Sequence, residues 1–180
     1  MPTALLVIDV QTGLIASAWR GEEVLARING LISRAREAGA PVLYIQHDGG
    51  AEDARWNWVG SEAWMLHPGL LPPRDGEPVI HKAACDAFWR TPLHGLLTGH
   101  GADRLVIAGL QTQFCIDTTC RSAVALGYPV SLAADAHTTD DAPHLTADRI
   151  VAHHNALLHG FGNDDASITV EDATEILFAG

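Results

Sequence analysis

Four short runs of the chain are continuously apolar and rich in Val, Ile and Leu: residues 4–8, 42–45, 105–108 and 130–134. Unbroken apolarity over four to six positions is the pattern of strands buried on both faces. Two weaker runs, 79–81 and 167–170, are further strand candidates. Between them the period lengthens to that of a helix. Residues 22–38 place Val24, Leu25, Ile28, Leu31, Ile32 and Ala35 on one stripe, and Gly39 stops it. Helical patterns also cover 91–99, 114–126, 145–158 and a terminal stretch, 171–178. Strand and helix alternating in this way predict parallel strands joined by crossovers, with helices on both faces. The fold class is α/β: a three-layer α/β/α sandwich with a mainly parallel, Rossmann-like sheet of about six strands, forming one domain over residues 1–180.

One stretch interrupts the rhythm. Residues 48–78 carry Gly49, Gly50, Gly60, Gly69, Gly76, Pro68, Pro72 and Pro73 alongside Trp56, Trp58 and Trp64. About thirty residues is long for a connection inside a compact domain, and such segments commonly serve as lids or pocket walls. The alternative is a loop whose tryptophans pack on the domain or on a second subunit.

Composition narrows the partners. A net charge of −11, from 22 acidic and 11 basic side chains, leaves no excess of Lys and Arg to neutralise phosphates, so neither nucleic acid nor an anionic membrane surface is expected to bind. Cys85, Cys115 and Cys120 are too few for a disulfide framework and form no C-x-x-C pair, which fits a reducing cytoplasm. The apolar opening is cut at Asp9 after five residues, too short for a signal peptide or a membrane span. A cytoplasmic protein acting on a small molecule is the expectation.

In open parallel sheets, ligands bind at the carboxyl ends of the strands, and three reactive residues fall there. Asp9 ends the first strand, Lys82 ends the 79–81 run, and Cys115 follows the strand at 105–108 through the turn Leu110-Gln-Thr-Gln-Phe114. A thiol at a helix's first turn is favoured as thiolate by the helix dipole and by unpaired N–H groups. Taken singly, each has a plain structural explanation: a buried small hydrophobe, a turn residue, a surface lysine. Taken together they make an activated nucleophile. Lys82 would stabilise the thiolate, Asp9 would accept the proton, and backbone N–H groups at Gln111 and Cys115 would form an oxyanion hole. Cys120 lies five residues further, about 140° around a helix, and is expected to face the core, while Thr119 shares the Cys115 face. Gln11, His47, Trp56, Trp64 and Trp89 are the candidate walls of a substrate pocket.

The ten histidines include five in the last third, His137, His144, His153, His154 and His159, yet none makes H-E-x-x-H or a comparable ligand spacing. The turn Asp9-Val-Gln-Thr-Gly13 has one glycine where a dinucleotide fingerprint needs three.

With these residues in place, the chain closely resembles the isochorismatase-like cysteine hydrolases, the superfamily that also contains nicotinamidases, N-carbamoylsarcosine amidase and streptothricin hydrolase. The likeness covers nearly the whole sequence. It rests on Ile8-Asp9-Val10-Gln11, on Val79-Ile-His-Lys82-Ala-Ala-Cys-Asp-Ala-Phe88, and on Ala108-Gly-Leu-Gln-Thr-Gln-Phe-Cys115-Ile-Asp-Thr-Thr119 followed by Arg121, Ala123 and Ala125-Leu-Gly-Tyr128. Ala134-Asp-Ala136 is a further familiar element. The resemblance implies Asp9, Lys82 and Cys115 as a catalytic triad, a non-proline cis peptide at Leu110–Gln111 that orients the oxyanion donors, and a homo-oligomer, dimer or tetramer, in which a neighbour can line the pocket.

Two departures matter. Nicotinamidases bind a metal through an Asp-x-His pair and a further His, whereas this chain has Ile45-Gln-His47-Asp48-Gly-Gly, so no catalytic metal and no cofactor are expected. Metal-free relatives usually carry Ser where this chain has Cys85, a change read as tolerated. Residues 60–64 and 67–71 look most like the streptothricin-hydrolase-like and uncharacterised branch. The expected activity is cysteine-dependent hydrolysis of a small amide, lactam or ureido C–N bond through a thioester. Vinyl-ether hydrolysis of the isochorismatase type, needing no thiol, and a flavodoxin-like binding module are the competing readings.

Overall fold

Each of the six apolar runs becomes a strand, and all six join one sheet. The structure is a computed structural model that describes residues 2–49 and 59–178. Its strands are β1 (Thr3–Ile8), β2 (Val42–His47), β3 (Val79–Lys82), β4 (Arg104–Leu110), β5 (Val130–Thr138) and β6 (Ile168–Glu171). The order across the sheet is β3-β2-β1-β4-β5-β6, with every neighbouring pair parallel. β1 is central and buried at every position, which is why its sequence shows no alternation. The chain winds outward from β1 through β2 to β3, then returns to its other side as β4. The switch point of the sheet therefore lies between β1 and β4, where ligands of such folds bind.

The helices are α1 (Thr12–Ser17), α2 (Gly21–Glu37), α3 (Leu93–Gly99), α4 (Asp117–Ala125) and α5 (Ala147–Leu158). The predicted α2 stripe is wholly buried, from Val24 to Ala35. It packs with Leu5, Val7, Val42, Tyr44, Val106 and Ala108 on one face of the sheet. The opposite face carries Leu6, Ile8, Leu43, Ile45, Leu105 and Ile107, covered by Leu93, Leu97, Ile116, Cys120, Ala123 and Val124. Two apolar layers on one parallel sheet make the three-layer sandwich expected from the sequence.

Three differences from the sequence-based expectation have physical reasons. The helix expected over 171–178 is absent: β6 runs to Glu171 and a turn follows, closed by Glu175 N–H donating to Asp172 O at 2.9 Å. Carbonyls that a helix would use internally are taken by the Arg34 guanidinium, which donates to Ala173 O, Thr174 O and Ile176 O. Eight residues hold little helix on their own, and this tertiary partner wins. The short helix α1 was not foreseen, because six residues show too little periodicity. The helix expected from residue 114 begins instead as a π-helical turn, Thr112–Ile116, running into α4.

The described part of the long connection is pinned to the segment that follows β1 and to α2. Thr12 N–H donates to Met65 O and Gly13 N–H to Ala63 O, each at 2.9 Å, and His67 N–H donates to Val10 O at 2.9 Å. Asn29 on α2 holds both Gly69 O and Leu71 N–H at 2.8 Å. Residues 59–78 thus form a fixed wall beside the end of β1. Among the described residues, no helix is long and apolar enough to cross a membrane.

Candidate functional site

The ends of β1, β3 and β4 deliver their polar residues to one point. β1 stops at Asp9, whose backbone takes the left-handed conformation, φ 52°, an uncommon state for a non-glycine residue and one concentrated at functional sites. Its N–H still donates to Ile45 O at 2.9 Å, so the turn redirects the side chain without losing the sheet bond. β4 approaches β1 so closely at Gly109 that a Cβ there would lie 1.9 Å from Ile8 O, and φ is 129°. Only glycine fits. Beyond it the Leu110–Gln111 peptide is cis, and the π-helical turn presents Cys115. β3 ends on Lys82, whose side chain has no exposed surface.

Lys82 Nζ is the centre of the cluster. It lies 2.7 Å from Asp9 Oδ2 and 3.1 Å from Cys115 Sγ, and it donates to Ala84 O at 3.0 Å. His47 Nδ1 is a further neighbour at 3.1 Å. Burial works against the ammonium, but the Asp9 carboxylate and the Cys115 sulfur overcome it and hold the Lys82 pKa above its ordinary value. The Asp9–Lys82 contact is a fully buried ion pair.

The sulfur chemistry involves a second thiol. Cys85 packs on the core cluster that contains Cys115. Hydrogen bonding with Cys115, together with the Lys82 ammonium, brings the Cys85 thiol down to about 6 against the opposing effect of its burial. The same bond, burial and the Asp9 carboxylate push Cys115 up, against Lys82. The two thiols titrate as a coupled pair, the first proton leaving more easily than the second. Cys120, by contrast, is fully buried, and desolvation raises its pKa.

The candidate wall residues fall into different places. Gln11 is 0% exposed and braces the backbone: its amide donates to His47 O at 3.1 Å and Trp64 O at 2.7 Å, and its oxygen accepts from His47 N–H at 3.0 Å. Trp64 donates its indole N–H to Asp48 Oδ1 at 2.8 Å and stacks on His81 with centroids 5.8 Å apart. Trp89 is 47% exposed and, with Asp48, His81, Lys82, Ala83 and Arg90, lines a cavity of about 460 Å³. Gln111 donates its side-chain amide to Asp140 Oδ2 at 3.2 Å. Trp56 lies outside the described residues.

Asp48, read from the sequence only against a metal-binding pattern, joins Trp64 at 2.8 Å to His81 at 3.0 Å, and Cys85, read as a tolerated replacement, packs on the cluster that contains Cys115. Sequence reasoning missed the chain of bonds beneath the nucleophile turn. Thr112 Oγ1 contacts His137 Nδ1 at 2.9 Å, and His137 Nε2 meets Asn155 Oδ1 at 2.7 Å. No spacing rule links residues 112, 137 and 155.

Asp9, His47 and Cys115 each offer a ligand atom within 4.8 Å of the others, a spacing that a cation could bridge. Lys82 Nζ already stands within 3.1 Å of all three. A protonated amine at the centre repels a metal ion and satisfies the same lone pairs, so the arrangement does not fit one.

A parallel α/β sandwich with a buried carboxylate, ammonium and thiol at its switch point defines a class of protein, and the relatives narrow it. The Isochorismatase domain family matches residues 3–161. The chain is 42% identical over 146 residues to a streptothricin hydrolase of Streptomyces noursei, covering 78% of this chain and 51% of that protein. It is 34% identical over 143 residues to the uncharacterized isochorismatase family protein YddQ of Bacillus subtilis, covering 77% and 79%. The crystal structure of an isochorismatase from Pseudomonas putida KT2440 superposes with a TM-score of 0.86 at 27% identity, over 98% of this chain and 90% of that one. This chain belongs to the isochorismatase family. It spans about half the length of the streptothricin hydrolases it matches.

Proposed function

We propose that the chain is a cysteine-dependent hydrolase that opens a small amide, lactam or ureido C–N bond through a thioester on Cys115. The observation that carries this reading is Lys82 Nζ, buried between Asp9 at 2.7 Å and Cys115 at 3.1 Å. In the proposed reaction Cys115 Sγ attacks the carbonyl carbon while Asp9 takes the thiol proton. Lys82 stays protonated and stabilises first the carboxylate and then the negative charge developing on sulfur. The oxyanion is received by the backbone N–H groups of Gln111 and Cys115, each donor worth roughly 3–4 kcal/mol in such sites. Asp9 returns the proton to the leaving nitrogen as the C–N bond breaks. It then deprotonates the water that cleaves the thioester, and the acid leaves with Cys115 regenerated.

Similarity to streptothricin hydrolases makes streptothricin itself a substrate to include in a screen of small amides, ureas and cyclic lactams. The decisive experiment compares native chain with Cys115→Ala on whichever substrate turns over. Loss on the order of 10⁴-fold or more, an unchanged circular dichroism spectrum and an acyl adduct on Cys115 in the native chain are expected. Turnover that survives the substitution would overturn the thioester route in favour of vinyl-ether chemistry with Asp9 as the acid.

A further inference from the structure

Nothing in the hydrolytic cycle requires the second thiol. Cys85 is nevertheless held in place from two sides. Its carbonyl accepts from Thr119 Oγ1 at 3.4 Å, and the Thr119 hydroxyl in turn accepts from Ala87 N–H at 3.2 Å. Thr119 sits one turn beyond Cys115 on the same helical segment, so the loop carrying Cys85 is tied to the element carrying the nucleophile. From the other side, Lys82 Nζ donates to Ala84 O at 3.0 Å while it touches Cys115 Sγ. Cys85 packs on the core cluster that contains Cys115 and is only partly buried. Lys82 Nζ thus bridges the backbone beside Cys85 and the nucleophile, 3.0 Å from Ala84 O and 3.1 Å from Cys115 Sγ, and each thiol shifts the other's ionisation.

We propose that Cys85 is the resolving thiol for Cys115: on oxidation of Cys115 by a hydroperoxide the two close a reversible disulfide, which switches the site off and shields its sulfur from irreversible oxidation. The inference rests on the reading of Cys115 as a reactive nucleophile. In the first step the Cys115 thiolate attacks the terminal peroxide oxygen, an S–O bond forms, and the O–O bond breaks. Its electron pair leaves on the alkoxide, which takes up a proton and departs as the alcohol. Lys82 beside the sulfur supplies the positive charge that steadies the departing oxygen. In the second step the Cys85 thiolate attacks the sulfenic sulfur, the S–S bond forms, the S–O bond breaks, and hydroxide leaves as water with the remaining proton. Across both steps the pair of sulfurs loses two electrons and the peroxide gains two.

The arrangement favours this chemistry over that of an isolated cysteine. The coupled pair gives up its first proton near neutral pH, which supplies the thiolate for the first step. Cys120 cannot compete, since it is sealed in the core on another face of the helix. A closed bridge leaves the Asp9–Lys82 pair intact and removes only the sulfur's ability to attack, so reduction restores the site directly.

The test uses hydrogen peroxide as the probe and mass spectrometry of non-reduced digests as the readout. In the native chain a peptide pair linked through Cys85 and Cys115 within one molecule is expected, reversed by dithiothreitol. Cys85→Ser is expected to give no bridge, a dimedone adduct on Cys115, and then sulfinic acid. Cys120→Ala is expected to form the bridge as the native chain does. A parallel sample treated with iodoacetamide separates the two ideas. Ready alkylation of Cys115 without any Cys85–Cys115 bridge would overturn the resolving role and leave the proposed hydrolase standing. Cys115 inert to both reagents would overturn both, and a bridge through Cys120 would overturn the pairing.

Discussion

Lys82 and His137 are basic side chains buried to nearly the same extent, 3% and 1% exposed, and burial treats them in opposite ways. Lys82 stands at the switch point with a carboxylate 2.7 Å away and keeps its charge, its pKa raised. His137, near the end of β5, faces the neutral groups of Thr112 and Asn155, and burial pushes its pKa down to about 4. The lesson is that a buried base stays ionised only where a counter-charge replaces the lost water. The half of the sheet holding β1, β3 and β4 is built to keep charge for chemistry. The half holding β5 and α5 is built to keep an imidazole neutral, so that it can brace the turn leading to Cys115.

Breaking the pair at the switch point should have the largest effect. Asp9→Asn leaves the Lys82 ammonium buried without a counter-charge, a change that costs about 3–5 kcal/mol in comparable pairs. In urea unfolding the Asp9→Asn/Lys82→Met double variant should recover most of that loss while staying inactive. A double variant no more stable than the single would show that the two charges act independently, and the comparison with His137 would lose its basis.

The His137 side sharpens the contrast through pH. Its folded pKa, about 4, lies below the ordinary histidine value of about 6.5. The neutral form is favoured by folding, so its contribution is fully present above pH 6.5. It is lost as pH falls toward 4, at up to about 1.4 kcal/mol per unit, roughly 3 kcal/mol in all. Thermal unfolding across that window should show the decline, and His137→Gln should flatten it.

Between these extremes stands Arg34, a cation whose partners are neutral dipoles, the carbonyls of Ala173, Thr174 and Ile176. Charge-assisted bonds to the backbone are modest when part-exposed. Arg34→Ala should therefore cost about 1–2 kcal/mol, with faster amide exchange confined to residues 172–178.

Most of the sheet was legible in the sequence because a strand buried on both faces must be apolar throughout, and runs such as 4–8 and 105–108 have no other explanation. The three reactive residues were legible for a related reason: a strand end in a parallel sheet is a fixed place, so Asp9, Lys82 and Cys115 could be assigned to one rim before any geometry was known. What stayed hidden depends on contacts between distant residues. The terminal segment looked helical until Arg34 claimed its carbonyls. The Thr112–His137–Asn155 chain joins three elements with no shared pattern, and Gln11, which reads as a pocket residue, turns its amide to the backbone of His47 and Trp64. The Cys85 side chain reads as a tolerated replacement until the fold sets it beside Cys115.

The central claim is that Lys82, held charged by Asp9, makes the adjacent sulfur a nucleophile near neutral pH. The rate of iodoacetamide alkylation at the site against pH, followed peptide by peptide, measures this directly. The native chain should show alkylation at the Cys85–Cys115 pair with a midpoint near the value of about 6 set for its first ionisation, and Lys82→Met, which removes the ammonium and leaves the opposing Asp9 carboxylate, should shift that midpoint up. A midpoint already at the ordinary thiol value of about 8.5 in the native chain, unmoved by Lys82→Met, would contradict the account.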